Sequence, residues 1–381
     1  MTEPTRLDPP SVGAGWYADP WHVAHWRWWD GHSWTAHTGS GPDAEHKPRL
    51  PGWLSVPVVA FGIIAVPLVA LLLFSAPFAV LLGLTPLVIV LPVFAWLDRV
   101  EPEPWSARIH ALLWGATVAG VTSGIINTVV GLATNETIAA VVSAPLVEEA
   151  TKALGIYWAV RRNQVDSVMD GIVYAGWVAL GFAVVEDFLY FAEADDQGFL
   201  VQVFILRALL TPFAHPLFTA WTGLGIGLAV ARNKPVALGL IAGLIPAVGT
   251  HAAWNGSLAY AESTGNDNAV AIAALAFVAL FIAAAIAVFV IRRKQQQRFV
   301  AAIPFLASRY HLAQNEIAVF GNWSVLLQSR RRLPRADRAK FDAVHASLAR
   351  LALLHERPGP TDTVAEQRLA DQLNRARSAA V

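Results

Sequence analysis

The chain has 381 residues, 55% of them hydrophobic and only 15% charged, and its mean hydropathy is +0.46. Soluble domains carry roughly 25% charged residues, so this composition excludes an ordinary soluble enzyme and indicates a multi-spanning protein set in a lipid bilayer. A formal net charge of zero gives no nucleic-acid signature, and the lack of cysteine excludes disulfides, thiolate catalysis and sulfur-ligated metal sites.

The first 50 residues are polar and Trp-rich, without the apolar core of a signal peptide, so the first spanning segment is expected to act as its own uncleaved insertion signal. Within them, Trp26-Arg27-Trp28-Trp29-Asp30-Gly31-His32-Ser33-Trp34-Thr35 places a hairpin-type Asp-Gly turn between aromatic strands. A very small Trp-stacked β module is expected. With Trp16-Tyr17-Ala18-Asp19-Pro20 ahead of it, the pattern resembles a short domain at the N-termini of many actinobacterial membrane proteins, which implies a tether without chemistry. Residues 39–53 read as a linker.

Residues 54–291 contain eight apolar stretches of about 20 residues, the length that a hydrocarbon core of roughly 30 Å requires. They lie near 54–74, 78–97, 109–132, 138–160, 168–191, 211–231, 236–259 and 268–291. Pro57, Pro67, Pro92, Pro212 and Pro246 fall inside or beside them, where neighbouring helices can satisfy the freed carbonyls. Residues 199–210 are apolar apart from Gln202 and Arg207 and run into the sixth stretch. They read either as a re-entrant or interfacial helix on the outer side or as the start of one long tilted helix. Arg207 is expected at the outer interface or on an acidic neighbour.

Lys and Arg set the orientation. Lys47 and Arg49, Arg99 and Arg108, Arg161 and Arg162, Arg232 and Lys234, and Arg292 to Lys294 flank alternate connections, whereas 134–136, 193–197 and 262–268 hold no basic residue. Eight crossings with both termini in the cytoplasm follow. Residues 292–381 read as a helical cytoplasmic region in which Leu348, Leu351, Leu353 and Leu354 continue an apolar face. Arg330-Arg331-Arg332 there is either a solvated face or a contact for anionic headgroups. The fold expected is an all-α membrane protein of about eight transmembrane helices, with a small β module before it and a helical tail after it.

The fourth stretch carries Glu148-Glu149 and then Lys152. A carboxylate at the centre of a membrane helix costs roughly 2.5–3.5 kcal/mol, so two in a row mark an interior site. Lys152 stands one turn beyond, placed to pair with either. One acid would satisfy one lysine, which leaves the second needing another reason. Further polar residues lie at comparable depth: Glu186-Asp187 on the fifth stretch, His215-Pro216 on the sixth, and His251 with Asn255 on one face of the seventh. By helical rise, Glu149 lies about 18 Å from the cytoplasmic surface, His215 and His251 about 24 Å, and Glu186 about 27 Å. Four helices therefore bring acids and imidazoles to one level in the outer half. Asp170, nearer the cytoplasm, reads as a helix N-cap.

Two chemistries suit such a set. A buried Glu can act as general base on water, with His and Asn donating to the oxyanion of a hydrolysed peptide. Alternatively His and Glu bind Zn²⁺, although no His-Glu-x-x-His helix is present. The sequence also lacks the second facing aspartate of an aspartyl intramembrane protease and the Gly-x-Ser-Gly serine of a rhomboid, since Val121-Thr122-Ser123-Gly124 has no leading glycine.

The order Glu-Glu-x-x-Lys, Phe-x-x-x-Glu, His on the next helix and His-x-x-x-Asn resembles the PrsW family, intramembrane proteases distantly similar to the prenyl-protein (CAAX) endopeptidases. The resemblance covers roughly residues 80–290. It implies that Glu148 and Glu149 are the catalytic pair, with Glu186, His215 and His251 completing the site; Lys152, which orients the pair, and Asn255, on the face of His251, are further candidate site residues. In a metal-dependent form Glu186, His215 and His251 would be the ligands; the cofactor is none or zinc. Family members often carry Asn where this chain has Asp187. The substrate implied is a single-span membrane protein, typically an anti-sigma factor cut on its outer side. Buried Glu and His also build proton relays, so a proton-coupled transporter or channel is the rival class, followed by an inactive membrane scaffold. Transporters usually show internal symmetry, and no repeat is visible here.

Overall fold

The computed structural model describes residues 15–18, 26–29, 31–39, 54–356 and 363–378. Two compact units divide between Pro51 and Gly52. The N-terminal unit is a three-stranded antiparallel sheet, β1 Gly15–Ala18, β2 Trp26–Trp29 and β3 Trp34–Gly39, in the order β1-β2-β3. Trp29 opposes Trp34 across the hairpin, their rings meet edge-on at 5.3 Å, and Trp29 is buried. Cross-strand aromatic pairs of this kind are what hold so small a sheet. Gly31 takes the left-handed φ of 97° that the turn needs. Asp30, the Asp19-Pro20 pair, linker residues 40–53 and the basic residues Lys47 and Arg49 lie outside the described residues.

Among the described residues, all regular secondary structure of the second unit is helical. Its helices are α1 Val56–Ser75, α2 Pro77–Leu97, α3 Trp105–Ala133, α5 Val168–Asp196, α7 Ala214–Ala231, α8 Val236–Thr264 and α9 Asp267–Tyr310. Between α3 and α5, α4 runs through Glu136–Ile138, a π-helical turn Ala139–Ser143 and Ala144–Arg161. Between α5 and α7, α6 comprises Leu200–Phe204 and the π-helical Ile205–Leu210. Among the described residues, seven helical segments are long and apolar enough to cross a membrane, against eight expected. The remaining stretch is α4, which has the length but carries Glu148, Glu149 and Lys152 in its interior. A break at residues 211–213, beside Pro212, separates α6 from α7. At 1.5 Å per residue, the 11 residues from Leu200 to Leu210 rise about 16 Å, too short to cross on their own.

Helix α5 is the centre of the bundle, buried along nearly its whole length. A Ser167 capping box starts it, the Asp170 carboxylate accepting from the Asp166 and Ser167 amides at 2.8 and 2.7 Å. Tight crossings surround it because the contact positions lack side chains. A Cβ on Gly181 would lie 1.9 Å from the Leu112 carbonyl oxygen of α3, and one on Gly171 would lie 2.2 Å from that of Gly223 on α7. Small residues at helix contacts are how membrane helices approach closely.

The boundary expected between 291 and 292 falls inside α9, which runs unbroken to Tyr310. Beyond it, α10 Gln314–Phe320, α11 Trp323–Arg332, α12 Arg335–Glu356 and α13 Thr363–Ser378 close over a core of Phe299, Ile303, Leu306, Phe320, Leu348 and Leu351. Val100, from the α2–α3 connection, belongs to that same core and joins the tail to the bundle.

Candidate functional site

The expected residues come from four helices, α4, α5, α7 and α8, and the structure brings most of them together. On α4, the Lys152 Nζ donates to Glu149 Oε1 at 2.9 Å and to Glu148 Oε2 at 3.4 Å. Lys152 is fully buried, its ammonium 3.8 Å from the Phe182 ring centre on α5. A buried ammonium is tolerable only with partners of this quality. Glu149 is also fully buried and saturated: the Thr219 hydroxyl of α7 donates to Oε2 at 2.8 Å, and His251 Nδ1 of α8 lies 3.2 Å from Oε1. Glu148 is held more loosely, by Asn127 Nδ2 of α3 at 3.4 Å.

His215 is fixed at both ring nitrogens. Its Nδ1 lies 3.2 Å from Lys152 Nζ and its Nε2 lies 2.6 Å from Glu186 Oε2. An ammonium can only donate, so Nδ1 is the acceptor and the Nε2–H donates to Glu186. Glu186 also receives Arg207 Nη2, while Arg207 Nε donates to Asp187 Oδ1 at 2.7 Å. Asp187, where the family pattern has Asn, is thus the partner of a guanidinium on α6. His251 stacks on Phe218, ring centres 4.8 Å apart. Asn255, expected to donate into the site, instead donates to the Ala140 carbonyl of α4 at 2.8 Å.

A cavity of about 380 Å³ is bounded by Glu148, Glu186, Arg207, His215, His251 and Asn255. A second, of about 340 Å³, meets Glu148, Asn127, Phe182 and Glu186 from the α3 side. Glu148 lines both and Glu149 lines neither, so the two adjacent acids differ in kind: one faces open space, the other props up the residues around it.

Three donors converge closely enough to share a metal ion: Glu148, His215 and His251, with ligand atoms within 4.8 Å of one another. Glu186, expected as a ligand, is not among them; it accepts from Arg207 and His215. The set fits zinc by kind and number, and each imidazole presents one nitrogen to the group while a carboxylate holds the other, Glu186 for His215 and Glu149 for His251. Nε2 of His251 lies 3.9 Å from Glu148 Oε2. The Lys152 ammonium touches two of the three donors and would have to give way to an ion.

Sequence reasoning missed Thr219 and Asn127. Thr219 stands one turn after His215 and so shares its face, which is a usable signal; a single Asn on α3 offers none.

A family model described as PrsW family intramembrane metalloprotease matches residues 103–306, and another, a protein of unknown function (DUF2510), matches residues 14–48. The chain is 33% identical over 150 residues to Protease PrsW of Geobacillus kaustophilus, covering 39% of this chain and 64% of that protein. It is 36% identical over 83 residues to Protease PrsW of Clostridioides difficile, covering 22% and 34% respectively. The chain therefore spans less than two thirds of the length of these curated relatives. No solved structure matches it. The first family match takes in more than half of the chain, including both glutamates of α4, Glu186 and the two histidines, and the chain belongs to the PrsW family.

Proposed function

We propose that the chain is an intramembrane endopeptidase that hydrolyses a peptide bond of a membrane-spanning protein, with water activated at Glu148. The observation that carries this reading is the convergence of Glu148, His215 and His251 on one cavity inside an apolar helical bundle, each backed by a residue that fixes it. A desolvated site of this sort strengthens every electrostatic contact made to a developing oxyanion.

Glu148 takes the proton of the attacking water or, in the metal-loaded form, holds the ion. Glu149 keeps Lys152 and His251 in place, Thr219 keeps Glu149, and Glu186 fixes the tautomer of His215. Asn255 lines the cavity and is the nearby donor for the tetrahedral oxygen after releasing the Ala140 carbonyl, while Lys152 orients the glutamate pair. Bound zinc would be held by Glu148, His215 Nδ1 and His251 Nε2, and would supply a water of lowered pKa and polarise the scissile carbonyl.

The substrate proposed is a single-span membrane protein, an anti-sigma factor by family resemblance, cut in the outer half of a bacterial plasma membrane. The depth of His215, His251 and Glu186 along their helices supports that side, and the Lys and Arg pattern supports cytoplasmic termini. Residues 1–38 are proposed as a tether, 39–53 as a linker and 54–291 as the protease domain, followed by a cytoplasmic tail.

The test uses purified protein in detergent: zinc content by elemental analysis, and cleavage of a fluorogenic single-span substrate with and without chelator. Stoichiometric zinc and chelator-sensitive cleavage establish the metal form; cleavage without metal establishes Glu148 as direct base. Folded E148Q protein that still cleaves overturns the assignment. Absence of both metal and cleavage favours the proton-coupled transporter.

A further inference from the structure

A second polar cluster lies at the other end of α5. Asp170 is 16 residues before Glu186, about 24 Å along the helix. It meets Glu101 and Glu103 from the α2–α3 connection, all three are buried, and one oxygen of each lies within 4.8 Å of the others. Asp98, also buried, stands beside them and is paired with Arg108 at 2.7 Å. Arg350, reaching in from α12, pairs with Glu103 at 3.3 Å. These two guanidiniums account for Asp98 and Glu103, and Glu101 and Asp170 remain, two carboxylates without a cation among the described residues.

The hydrogen bonds show which oxygens are free. Tyr174 and Arg350 donate to Oε2 of Glu103, the Asp166 and Ser167 amides to Oδ2 of Asp170, and Gln295 to Oε2 of Glu101. Among the described residues, no donor reaches the second oxygen of any of the three. Glu101 Oε1 in particular is sealed from solvent without a partner, in a residue only 3% exposed. A buried carboxylate oxygen left in this way has lost its hydration with nothing in exchange, so something outside the described contacts is called for. Three carboxylates buried this close together must be neutralised by a cation or by protons.

We infer that Glu101, Glu103 and Asp170 form a binding site for a hard divalent cation, Ca²⁺ or Mg²⁺, separate from the cluster around Glu148. The donor set is all carboxylate oxygen, the chemistry such ions take, and its uncompensated charge of two negatives matches one of them. The ion ties the α2–α3 connection to the start of α5, and through Glu103 and Arg350 it braces α12 against the bundle. It is a structural clamp between the membrane helices and the C-terminal region.

The experiment uses the full-length protein in detergent, stripped with chelator and reloaded with Ca²⁺ or with Mg²⁺. Bound cation is counted by elemental analysis and Tm is read with and without the ion. Wild type is expected to retain one equivalent per chain and to melt higher with the ion; the arm giving the larger rise identifies the cation. E101Q and E103Q are expected to lose both effects, whereas E148Q retains them, because its substitution lies in the other cluster. Wild-type protein that binds no Ca²⁺ or Mg²⁺ overturns the inference. So does E101Q that melts at or above wild type with unchanged cation content, which would mean that the acids share protons instead. Should E101Q fail to fold, the wild-type count and E103Q decide the matter.

Discussion

His215 and Glu186 are joined by a 2.6 Å contact between Nε2 and Oε2, and this contact determines which nitrogen of the ring faces the cavity cluster. The opposite nitrogen looks toward Lys152 and Glu148, so the carboxylate on α5 orients a ring on α7. Replacing it, as in E186Q, removes the charge that favours the Nε2–H tautomer while leaving Arg207 paired with Asp187. Losses of about 10–100-fold in activity or metal affinity are typical when such an orienting carboxylate is removed. E186Q is expected to lose kcat/KM in that range with little change in Tm. Cleavage at the wild-type rate would show that His215 is positioned without it.

The two adjacent glutamates of α4 should respond differently, only one of them in stability. E148Q leaves Lys152 its closer partner, Glu149, and removes the one acid of the pair that lines the cavities. Loss of a general base typically costs 10²–10⁴-fold, so cleavage is expected to fall by about that factor in protein that melts near wild type. E149Q strips the buried Lys152 of its better counter-ion and loosens Thr219 and His251 together. Breaking a buried pair costs about 3–5 kcal/mol, so this variant should lose stability as well as activity. Thermal melts beside a cleavage assay separate the two; a stable, inactive E149Q would reverse the assignment.

The site was legible because charge is expensive in an apolar helix. Glu148, Glu149, Lys152, Glu186, His215 and His251 stand out against Leu, Val and Ala, and helical rise alone put four helices at one level. The roles within the site were not legible. That Glu148 faces open space while Glu149 is walled in depends on the rotation of α4 against α7 and α8, which adjacent positions on one helix do not reveal. The Glu186–Arg207 pair joins residues 21 apart across a break in the helices, and Glu103–Arg350 joins residues 247 apart. Contacts of that range leave no periodic trace in a sequence. The all-α membrane architecture was readable from composition, but α4 fails a simple length-and-hydropathy criterion because it carries the site.

Packing between α3 and α5 rests on two glycines. A methyl on Gly181 would meet the Leu112 carbonyl oxygen at 1.9 Å, and one on Gly115 would meet that of Val178 at 1.8 Å. Both obstacles are backbone, so neither can rotate away. G181A must push α3 from α5, disturbing Asn127 on one helix and Glu186 on the other. Overpacking of this kind costs typically about 1–3 kcal/mol, occasionally more, and G181A is expected to melt lower and cleave poorly. Gly62 of α1 has nothing within 4 Å of its added methyl, so G62A serves as the control and should melt at or slightly above wild type.

The C-terminal helices carry a pH dependence of their own. His345 is buried among Phe299, Phe320 and Trp323, and burial holds its pKa near 4, below the ordinary 6.5, with Asp342 and a Val100 backbone contact opposing and Arg330 assisting. Between those two values the unfolded chain binds the proton and the folded chain does not, so protonation there favours unfolding. Stability from this group is fully present above pH 6.5 and is lost as pH falls toward 4. H345F keeps an aromatic ring in the same place without the titration. The Tm of wild type should therefore drop relative to H345F over that window and run parallel to it above pH 6.5. The comparison between the two proteins cancels the contributions of the acids near Glu101, which are common to both. Curves that stay parallel down to pH 4 would mean that His345 keeps its neutral form at no cost to the fold.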